Sequence, residues 1–458
     1  MATPLRFRLS SHFRLHIYTF FAFHACIFSN QVSGRTRDYE HIRSTGVQCK
    51  ILLQKFSGCF QQSEERCAVH RGRRGIYRLF AGAGALNYGH NNDFMKNRLL
   101  DYLTSDRIMH GLDMFTTAKQ EFIESFSERI LQPKGLNYKL QFCGPTGTNA
   151  VEAALKLARK VKKRNGIFAF MGAFHGMSLG SLSVTSNNSM RESAGVSLNN
   201  VTFIPYNSTF NGLDTILYME QLLTDTHSGV EKPAAIILET VQAEGGINIA
   251  DTEWLRDLRQ LCDDHDILLI IDDIQVGCGR VGSFFSFERA GIVPDMVVLS
   301  KSISGYGLPM SLLLIKPELD IWSPGEHNGT FRGNQLAFVA AKAALEFRDT
   351  VGLEAQVKEK EAFVQQFLRE HIQTIDPLIE IRGLGLIWGI DVSHLGEAFA
   401  KEVATLCFSK GLIIERAGRN DTVIKIMPAL TISLENLREG CNIIKECMVQ
   451  VSSTLVTL

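Results

Sequence analysis

The chain has 458 residues, of which 45% are hydrophobic and 21% are charged, and its 48 basic side chains balance 48 acidic ones. This balance argues against the basic surface that nucleic-acid binding requires, so we expect no nucleic-acid partner. The apolar runs fall short of the roughly 20 residues that span a bilayer, so we expect no membrane partner either. The length is sufficient for one large core and a second domain.

Ten cysteines are scattered along the chain without a Cys-x-x-Cys pair. This pattern is typical of reduced, mostly buried thiols in an intracellular protein. We therefore expect a cytoplasmic protein with no disulfide framework and no metal site.

Residues 1–75 differ from the rest of the chain. Five arginines precede the first acidic residue, Asp38, and they surround an apolar stretch at residues 17–28. A basic, acid-free start is typical of an organelle transit peptide, and a short apolar core behind arginines is typical of a secretory signal. An unstructured or wrongly translated leader is the favoured interpretation, because a secreted protein with this cysteine pattern would be unusual. If the leader is a real transit segment, the predicted compartment is the mitochondrion.

Ordered structure is predicted to begin near Phe80, in a loop rich in small residues, and strand patterns then alternate with helical patterns. The predicted strands are residues 138–142, 167–170, 201–204, 234–238, 267–271 and 296–299, and one predicted helix spans residues 149–163. A further helix between residues 239 and 272 has Trp254, Leu255, Leu258, Leu261 and Cys262 on one face. This alternation indicates an α/β fold with a mostly parallel, doubly wound sheet flanked by helices.

The C-terminal part of the chain is predicted to be helical and then mixed. We assign residues 76–335 to a large domain and residues 336–458 to a smaller α+β domain. Within the smaller domain, residues 383–389 predict a strand whose glycines allow close backbone approach.

Chemically useful side chains end three of the apolar strands. Glu239 follows the strand at 234–238, Asp272 follows the strand at 267–271, and Lys301 closes the run that begins at Met296. Continuous apolar runs indicate a parallel sheet covered on both faces, and ligands bind such sheets beyond the carboxyl ends of the strands. Two carboxylates and an amine are therefore predicted to converge on one edge.

Lys301 is the candidate nucleophile of this edge. An amine can condense with an aldehyde cofactor and later transfer a proton. Taken alone, Lys301 would be interpreted as a surface lysine in the glycine-rich loop of residues 302–307. Its position after a buried strand, with acids nearby, favours the catalytic interpretation.

Asp272 is a candidate partner for the nitrogen of a pyridine-ring cofactor, because a carboxylate beside that nitrogen keeps the ring protonated and electron-withdrawing. The alternative for Asp272 or Asp273 is a helix cap or a salt bridge, which suits Asp273 better. His175 lies in a Phe174-His175-Gly176 sequence, in which the aromatic side chain could stack on a planar ring. Taken alone, Phe174 is better interpreted as a core residue.

A phosphate site is predicted at residues 144–149, which directly precede a segment of strongly helix-forming residues. Gly147 permits close approach, and Thr148 offers a hydroxyl beside the positive end of the helix dipole. The alternative is an ordinary capped helix start, with Asn149 and Glu152 forming a capping-box-like pair. The local pattern leaves both interpretations open.

With these residues assembled, the chain resembles the class III aminotransferases, which are pyridoxal-phosphate enzymes of fold type I. The resemblance runs from about Phe80 to the end, and it is most specific at residues 272–275 and 279–282 with Lys301 following. Residues 80–92, 299–309 and 315–334 resemble most closely the class III enzymes that make L-2,4-diaminobutyrate for ectoine synthesis.

The resemblance implies pyridoxal 5′-phosphate as cofactor and a role for each matching residue. The implied contacts are Lys301 as the Schiff-base lysine, Asp272 at the pyridine nitrogen, Gln275 at the ring hydroxyl, Phe174 on the ring with His175 beside it, Gly147 and Thr148 at the phosphate, and Glu239 and Glu244 beside the cofactor. Thr330 of a neighbouring subunit would join the phosphate, which implies a homodimer or a higher homo-oligomer with shared active sites.

Two stretches depart from the class pattern. Many class III enzymes carry an arginine that pairs with the substrate carboxylate, and Lys425 occupies that place here, with Arg332 as another candidate partner. Lysine offers a point charge rather than a bidentate fork, and the ectoine enzymes share this change. Residues 70–79 are basic and poorly patterned where the class has an acidic, aromatic strand pair. If this stretch is an alternative start or is translated in the wrong reading frame, the edge of the small domain and the substrate wall would be damaged.

The activity implied by the resemblance is transfer of the amino group of L-glutamate to L-aspartate 4-semialdehyde. The products would be L-2,4-diaminobutyrate and 2-oxoglutarate, in the first step of ectoine synthesis, with ping-pong kinetics and small amino acids as substrates. The alternatives are a class III transaminase for another ω-amino donor, such as ornithine, 4-aminobutyrate or a diamine, and an inactive homologue that still binds the cofactor.

Overall fold

The computed structural model describes residues 60–64, 67–70, 75–207 and 212–456. Most of the leader predicted at residues 1–75 therefore lies outside the described residues. The division at residues 335 and 336 remains a prediction. In the described ranges, no helix is both long enough and apolar enough to cross a membrane.

The strands and helices take labels in chain order. The strands are β1 (Phe60–Glu64), β2 (Cys67–His70), β3 (Gly75–Arg78), β4 (Lys139–Phe142), β5 (Ile167–Phe170), β6 (Val201–Ile204), β7 (Ala235–Leu238), β8 (Val241–Gln242), β9 (Asn248–Ile249), β10 (Leu268–Asp272), β11 (Met296–Leu299), β12 (Leu312–Ile315), β13 (Glu380–Leu384), β14 (Ile387–Asp391), β15 (Leu412–Ile413), β16 (Glu415–Ala417) and β17 (Val423–Ile426). The helices are α1 (Asp93–Leu103), α2 (Thr117–Phe126), α3 (Gly147–Lys162), α4 (Leu179–Ser183), α5 (Asn188–Glu192), α6 (Thr215–Thr224), α7 (Thr252–Asp264), α8 (Gln335–Val351), α9 (Leu353–His371), α10 (Gly396–Ser409) and α11 (Leu434–Val456).

The central sheet has seven strands in the order β4-β12-β11-β10-β7-β5-β6. Only β12 runs antiparallel to its neighbours, so the sheet is mostly parallel as predicted. Alternate residues of β10 enter two different apolar clusters, with Leu269 and Ile271 in one and Leu268 and Ile270 in the other. The sheet is therefore buried on both faces, which explains its continuous apolar strands.

Helix α3 begins with a cap that differs from the predicted one. The side chain of Thr146 precedes the helix and bonds to the side chain of Asn149 at 2.8 Å. Glu152 accepts from the backbone N–H of Gly180 at 2.8 Å instead of pairing with Asn149. The capped helix start considered as the alternative is present, but it is formed by Thr146 and Asn149, because Glu152 is one turn further along and faces the segment that leads into α4.

The C-terminal elements form a second sheet in the order β13-β14-β17-β16, packed on a separate apolar cluster with α9, α10 and α11. The single strand predicted at residues 383–389 is a tight hairpin between β13 and β14. Gly385 has a φ of +57°, which turns the chain in the left-handed region that favours glycine. Close approach is confirmed, since a Cβ on Gly383 would lie 2.2 Å from the Trp388 ring.

A third sheet joins the start of the described chain to its C-terminal part, in the order β1-β2-β3-β15. β3 and β15 run parallel, with Tyr77 opposite Leu412 and Arg78 opposite Ile413. Strands thus precede Phe80, where ordered structure was predicted to begin. The local sequence of β3 does not reveal this pairing, because its partner lies more than 300 residues away in the chain.

Candidate active site

The predicted convergence of strand ends occurs at the carboxyl edge of β7, β10 and β11. Asp272 is the last residue of β10 and lies opposite Val298 of β11. Lys301 follows β11 and takes a φ of +50° at the start of a short 3₁₀ turn. Because β10 and β11 are parallel neighbours, Asp272 and Lys301 lie at the same edge of the sheet.

Asp272 is held from two sides. Its Oδ2 lies 2.7 Å from Nδ1 of His175, and its Oδ1 accepts from the backbone N–H of Ile274 at 3.1 Å. Both Asp272 and His175 are buried. A carboxylate fixed in this way has a defined orientation, as a partner for a ring nitrogen requires.

Glu239 holds the segment that carries Phe174. Its two carboxylate oxygens accept from the backbone N–H groups of Phe174 at 3.0 Å and Ala243 at 3.3 Å. Burial raises the pKa of Glu239 to about 7, against the opposing influence of His175. Phe174 is half-buried rather than a core residue, which leaves ring surface for a ligand.

A buried lysine joins two acids beside Lys301. Nζ of Lys425 lies 2.8 Å from Oε1 of Glu244 and 2.8 Å from Oε2 of Glu415. Burial opposes the charge of Lys425, but Glu244 and Glu415 outweigh it and raise the pKa of the lysine. Burial likewise raises the pKa of Glu244, but Lys425 and Lys301 outweigh it and lower that pKa to about 2. Lys425 and Glu244 therefore hold each other in the charged form near neutral pH.

Lys301 is held differently from Lys425. It is half-buried, and burial lowers its pKa while Glu244 opposes the shift and Lys425 reinforces it. A lysine with a lowered pKa is more often neutral, and only the neutral amine is a nucleophile or a proton acceptor. The site thus contains one lysine kept charged and one lysine biased toward the neutral form.

The predicted phosphate site lies at the start of α3. Amides in the first turn of a helix have no intrahelical acceptor, so they are available to an anion. The Thr148 hydroxyl lies 2.7 Å from Oγ of Ser181 and 2.5 Å from Oγ of Ser178. Glu152 accepts from Ser178 at 2.6 Å, so these hydroxyls form one network at the helix start.

Gly147 is required for packing at this helix start. A Cβ at this position would lie 2.7 Å from Cδ1 of Ile274, in the loop that follows Asp272. The glycine therefore lets the helix start approach the end of β10. The direct roles of Gly147 and Thr148 toward a phosphate remain predictions.

Two buried polar atoms fit pyridoxal 5′-phosphate. Gln275 donates through Nε2 to the Ala83 carbonyl at 2.8 Å and to Glu244 at 3.1 Å, while its Oε1 has no hydrogen-bond partner among the described residues. A ring hydroxyl would supply the missing donor. Nε2 of His175 also lacks a partner in the described part of the chain. Together with Asp272 and Lys301, these residues fit the cofactor.

Two predicted residues lie apart from this cluster. Arg332 bonds to Asp113 at 2.7 Å and to Asn328 at 2.6 Å. Thr330 is exposed, and its carbonyl lies 3.1 Å from Nε2 of His110. Within one chain, the described contacts do not bring either residue to Lys301, so their roles depend on the substrate or on a second subunit.

The sequence interpretation missed Glu415 and Ser178. Glu415 is the first residue of β16 and lies opposite Lys425 in the β16–β17 pairing, and no local motif marks it. If the β16–β17 hairpin had been predicted, an acidic residue directly opposite a basic one would have indicated this contact. Asp273 has the structural role considered for it, because its Oδ2 accepts from the Ser286 N–H at 2.9 Å.

The chain is similar to known proteins over most of its length. Residues 62–448 match the family described as "Aminotransferase class-III". A protein of Bordetella parapertussis named "Diaminobutyrate--2-oxoglutarate transaminase" is 51% identical over 396 residues, which cover 86% of this chain and 91% of that protein. A protein of the same name from Streptomyces avermitilis is 56% identical over 366 residues, covering 79% of this chain and 86% of that protein.

Solved structures share the fold. The ornithine aminotransferase of Toxoplasma gondii ME49 has a TM-score of 0.82 at 22% identity, covering 94% of this chain and 98% of that one. An S-selective transaminase of an Arthrobacter species has a TM-score of 0.81 at 20% identity, covering 92% and 99% of the two chains. With the family match over residues 62–448, the chain belongs to the class III aminotransferases and is a pyridoxal-phosphate-dependent transaminase.

Proposed function

We propose that this transaminase transfers the amino group of L-glutamate to L-aspartate 4-semialdehyde, giving L-2,4-diaminobutyrate and 2-oxoglutarate. The observation that carries the proposal is the placement of Asp272 and Lys301 at the carboxyl ends of two adjacent parallel strands, with His175 holding the Asp272 carboxylate at 2.7 Å. The choice of substrates is supported by relatives at 50–56% identity that bear the name diaminobutyrate–2-oxoglutarate transaminase. The reaction would be the first step of ectoine synthesis.

Each residue of the site has a defined task in this reaction. Pyridoxal phosphate supplies an aldehyde that condenses with amines and a ring that accepts the electrons of a broken C–H bond. Lys301 would hold the aldehyde group of the cofactor, and its amine would accept the proton that leaves the substrate carbon. Asp272, oriented by His175, would pair with the nitrogen of the cofactor ring. Lys425 offers the charge that a substrate carboxylate needs.

We also propose that a second copy of the chain covers an exposed apolar surface near Thr330. The surface comprises Ile108, Met109, Leu112, Met114, Phe115 and Phe331, and Phe115 and Phe331 are 97% and 68% exposed. The His110 ring packs edge-on against Phe331 at 5.4 Å, which joins the two loops. Patches of this kind mark interaction surfaces, and a two-fold dimer would bring Thr330 to the partner's phosphate site.

The cytoplasm remains the predicted compartment, supported by the buried free thiols of the described residues.

The direct experiment is a glutamate-dependent amination assay with L-aspartate 4-semialdehyde. We expect 2-oxoglutarate and L-2,4-diaminobutyrate in equal amounts, parallel double-reciprocal lines, and no turnover by Lys301→Ala. Reduction with borohydride should label residue 301. Faster turnover with ornithine, 4-aminobutyrate or a diamine in a parallel donor screen would contradict the proposed substrates, and no turnover with any donor would indicate an inactive homologue.

A further inference from the structure

Asn328 and Gly329 form an exposed Asn-Gly pair in the loop between β12 and α8. The backbone N–H of Gly329 donates to Oδ1 of Asn328 at 2.8 Å, so the Asn328 side chain is folded back onto the peptide bond that follows it. Arg332 donates through Nη2 to the same oxygen at 2.6 Å. The structure therefore holds a backbone nitrogen beside a side-chain amide whose carbonyl bonds to a cation.

This arrangement favours a reaction between the two groups. The nitrogen of Gly329 can bond to Cγ of Asn328 and close a succinimide ring, because both atoms belong to one short segment and already lie near each other. Negative charge develops on Oδ1 as this bond forms, and the Arg332 guanidinium is positioned to stabilise that charge. Glycine has no Cβ, so it does not hinder the closure of the ring.

We propose that Asn328 is a site of spontaneous deamidation and that Arg332 promotes the reaction. The Gly329 nitrogen loses its proton to a base in the solvent and forms a bond to Cγ of Asn328. The bond between Cγ and Nδ2 then breaks, and Nδ2 takes up a proton and leaves as ammonia. Water adds to either carbonyl of the ring and opens it, which gives aspartate or isoaspartate at this position. No electrons are transferred, so the reaction needs water and no oxidant.

Both products change the surroundings of Arg332. Each replaces a neutral amide with a carboxylate, and Arg332 already bonds to Asp113 at 2.7 Å. Isoaspartate also adds a methylene group to the main chain two residues before Thr330. An effect on the cofactor phosphate rests on the proposed role of Thr330, whereas the modification itself depends only on the geometry of the loop.

Asn165 and Gly166 form another Asn-Gly pair, directly before β5, which serves as an internal reference. Arg159 donates to the backbone carbonyl of Asn165 at 2.9 Å, and the N–H of Ala234 donates to the carbonyl of Gly166 at 2.7 Å. Among the described residues, no arginine donates to the side-chain amide of Asn165. This pair therefore has the same sequence as the pair at Asn328 but lacks the activating contact.

Peptide mass spectrometry of aged wild-type holoenzyme compares the two pairs in one sample. The enzyme is incubated at mildly alkaline pH and digested at acidic pH, which limits deamidation during the digestion. We expect Asn328 to deamidate at least roughly tenfold faster than Asn165, a small part of what one donor to a developing oxyanion contributes in enzymes. Equal rates, or a faster reaction at Asn165, would overturn the proposal. The measurement does not require turnover, so its result is independent of the proposed substrates.

Two variants separate the roles of the arginine and the glycine. Arg332→Gln removes the guanidinium and should slow the deamidation of Asn328 several-fold, while Asn165 in the same sample keeps its rate. Gly329→Ala should slow the reaction of Asn328 more strongly. Its added Cβ is accommodated, since the nearest neighbour, Cγ of Arg332, would be 3.6 Å away.

Arg159→Gln is the matched control for Arg332→Gln and should leave the rate at Asn328 unchanged. An unchanged or higher rate at Asn328 in Arg332→Gln would contradict the role of Arg332, and so would an equal decrease in Arg159→Gln. An unchanged rate in Gly329→Ala would exclude the succinimide route.

Discussion

Nδ1 of His175 lies 2.7 Å from Oδ2 of Asp272, and both side chains are buried at the carboxyl edge of the central sheet. His175→Ala would free this carboxylate to turn away from the cofactor ring. Because a buried hydrogen bond to a charged group contributes about 1.5–3 kcal/mol, we expect cofactor affinity to fall roughly tenfold to a hundredfold. Absorbance titration of dialysed enzyme with pyridoxal phosphate measures this change.

His227→Ala is the control for that measurement. The His227 side chain is 94% exposed, and its ion-pair partner is Asp225, which, among the described residues, contacts no residue of the site. Cofactor affinity should be unchanged in this variant. An unchanged affinity in His175→Ala as well would show that Asp272 is held adequately without the imidazole.

Lys301 gives a pH dependence whose direction follows from its surroundings. Burial lowers the pKa of Lys301, so its neutral form is reached at lower pH than for an ordinary lysine. The rate at which apoenzyme captures pyridoxal phosphate should therefore rise with pH and level off below about 10.4, the ordinary pKa of lysine. Stopped-flow absorbance across pH 6 to 10 measures this, with a free lysine derivative as the reference. Coinciding profiles for protein and derivative would contradict the lowered pKa.

Asp273 is expected to make stability depend on pH. Burial raises the pKa of Asp273 to about 7, above its value in an unfolded chain, so the folded state binds the extra proton. The contribution of Asp273 to the free energy of unfolding is complete at low pH and is lost as the pH rises toward and through 7. Asp273→Asn cannot ionise, so its stability relative to wild type should improve between pH 5 and pH 8 by about 2–4 kcal/mol.

Denaturant unfolding at the two pH values measures that difference. The side-chain carbonyl introduced by Asp273→Asn would still accept from the Ser286 N–H, but the new NH₂ group would lack a partner, so the comparison is made across pH and not at one pH. Asp263→Asn, at a side chain that is 57% exposed, is the control and should show no such trend. A constant difference for Asp273→Asn would indicate that Asp273 is already ionised at pH 5.

Gly147→Ala tests the close approach between α3 and the loop after β10. The added Cβ would lie 2.7 Å from Cδ1 of Ile274, and overpacking of this kind costs about 1–3 kcal/mol. Ile274→Val removes that methyl group and should restore most of the loss in the double variant. Gly166→Ala is the control, since its nearest neighbour, Cα of Pro233, is 3.5 Å away. Thermal unfolding of the wild type and these variants decides whether the two positions are coupled.

The central sheet was predictable because its strands are short, apolar and covered on both faces. β5 and β6 have the predicted bounds, and the residues that end β7, β10 and β11 meet as parallel topology requires. The placement of Asp272 and Lys301 in one site followed from that topology alone. Local pattern and tertiary arrangement agree in this part of the chain.

The C-terminal part was less predictable because its contacts join distant residues. Glu415 contacts Lys425 because β16 and β17 pair, and the local sequence contains no turn signal that predicts this pairing. The turn at Gly385 was not predicted, because residues 383–389 have the pattern of one continuous strand. The cap at Thr146 was missed for a similar reason, since Glu152 has a stronger partner across the fold at Gly180. In each case a contact between separated segments overrides the local pattern.

The parallel pairing of β3 with β15 has a consequence for biosynthesis. Residues 77 and 78 emerge from the ribosome early, but their partners at 412 and 413 are translated more than 300 residues later. In the folded protein the Leu79 carbonyl accepts a hydrogen bond from the N–H of Met427 at 2.9 Å, and Met427 is also translated late. The backbone N–H and C=O groups on one edge of β3 therefore lack their partners during most of translation. Until the C-terminal part is released from the ribosome, this edge can pair with strands of other chains.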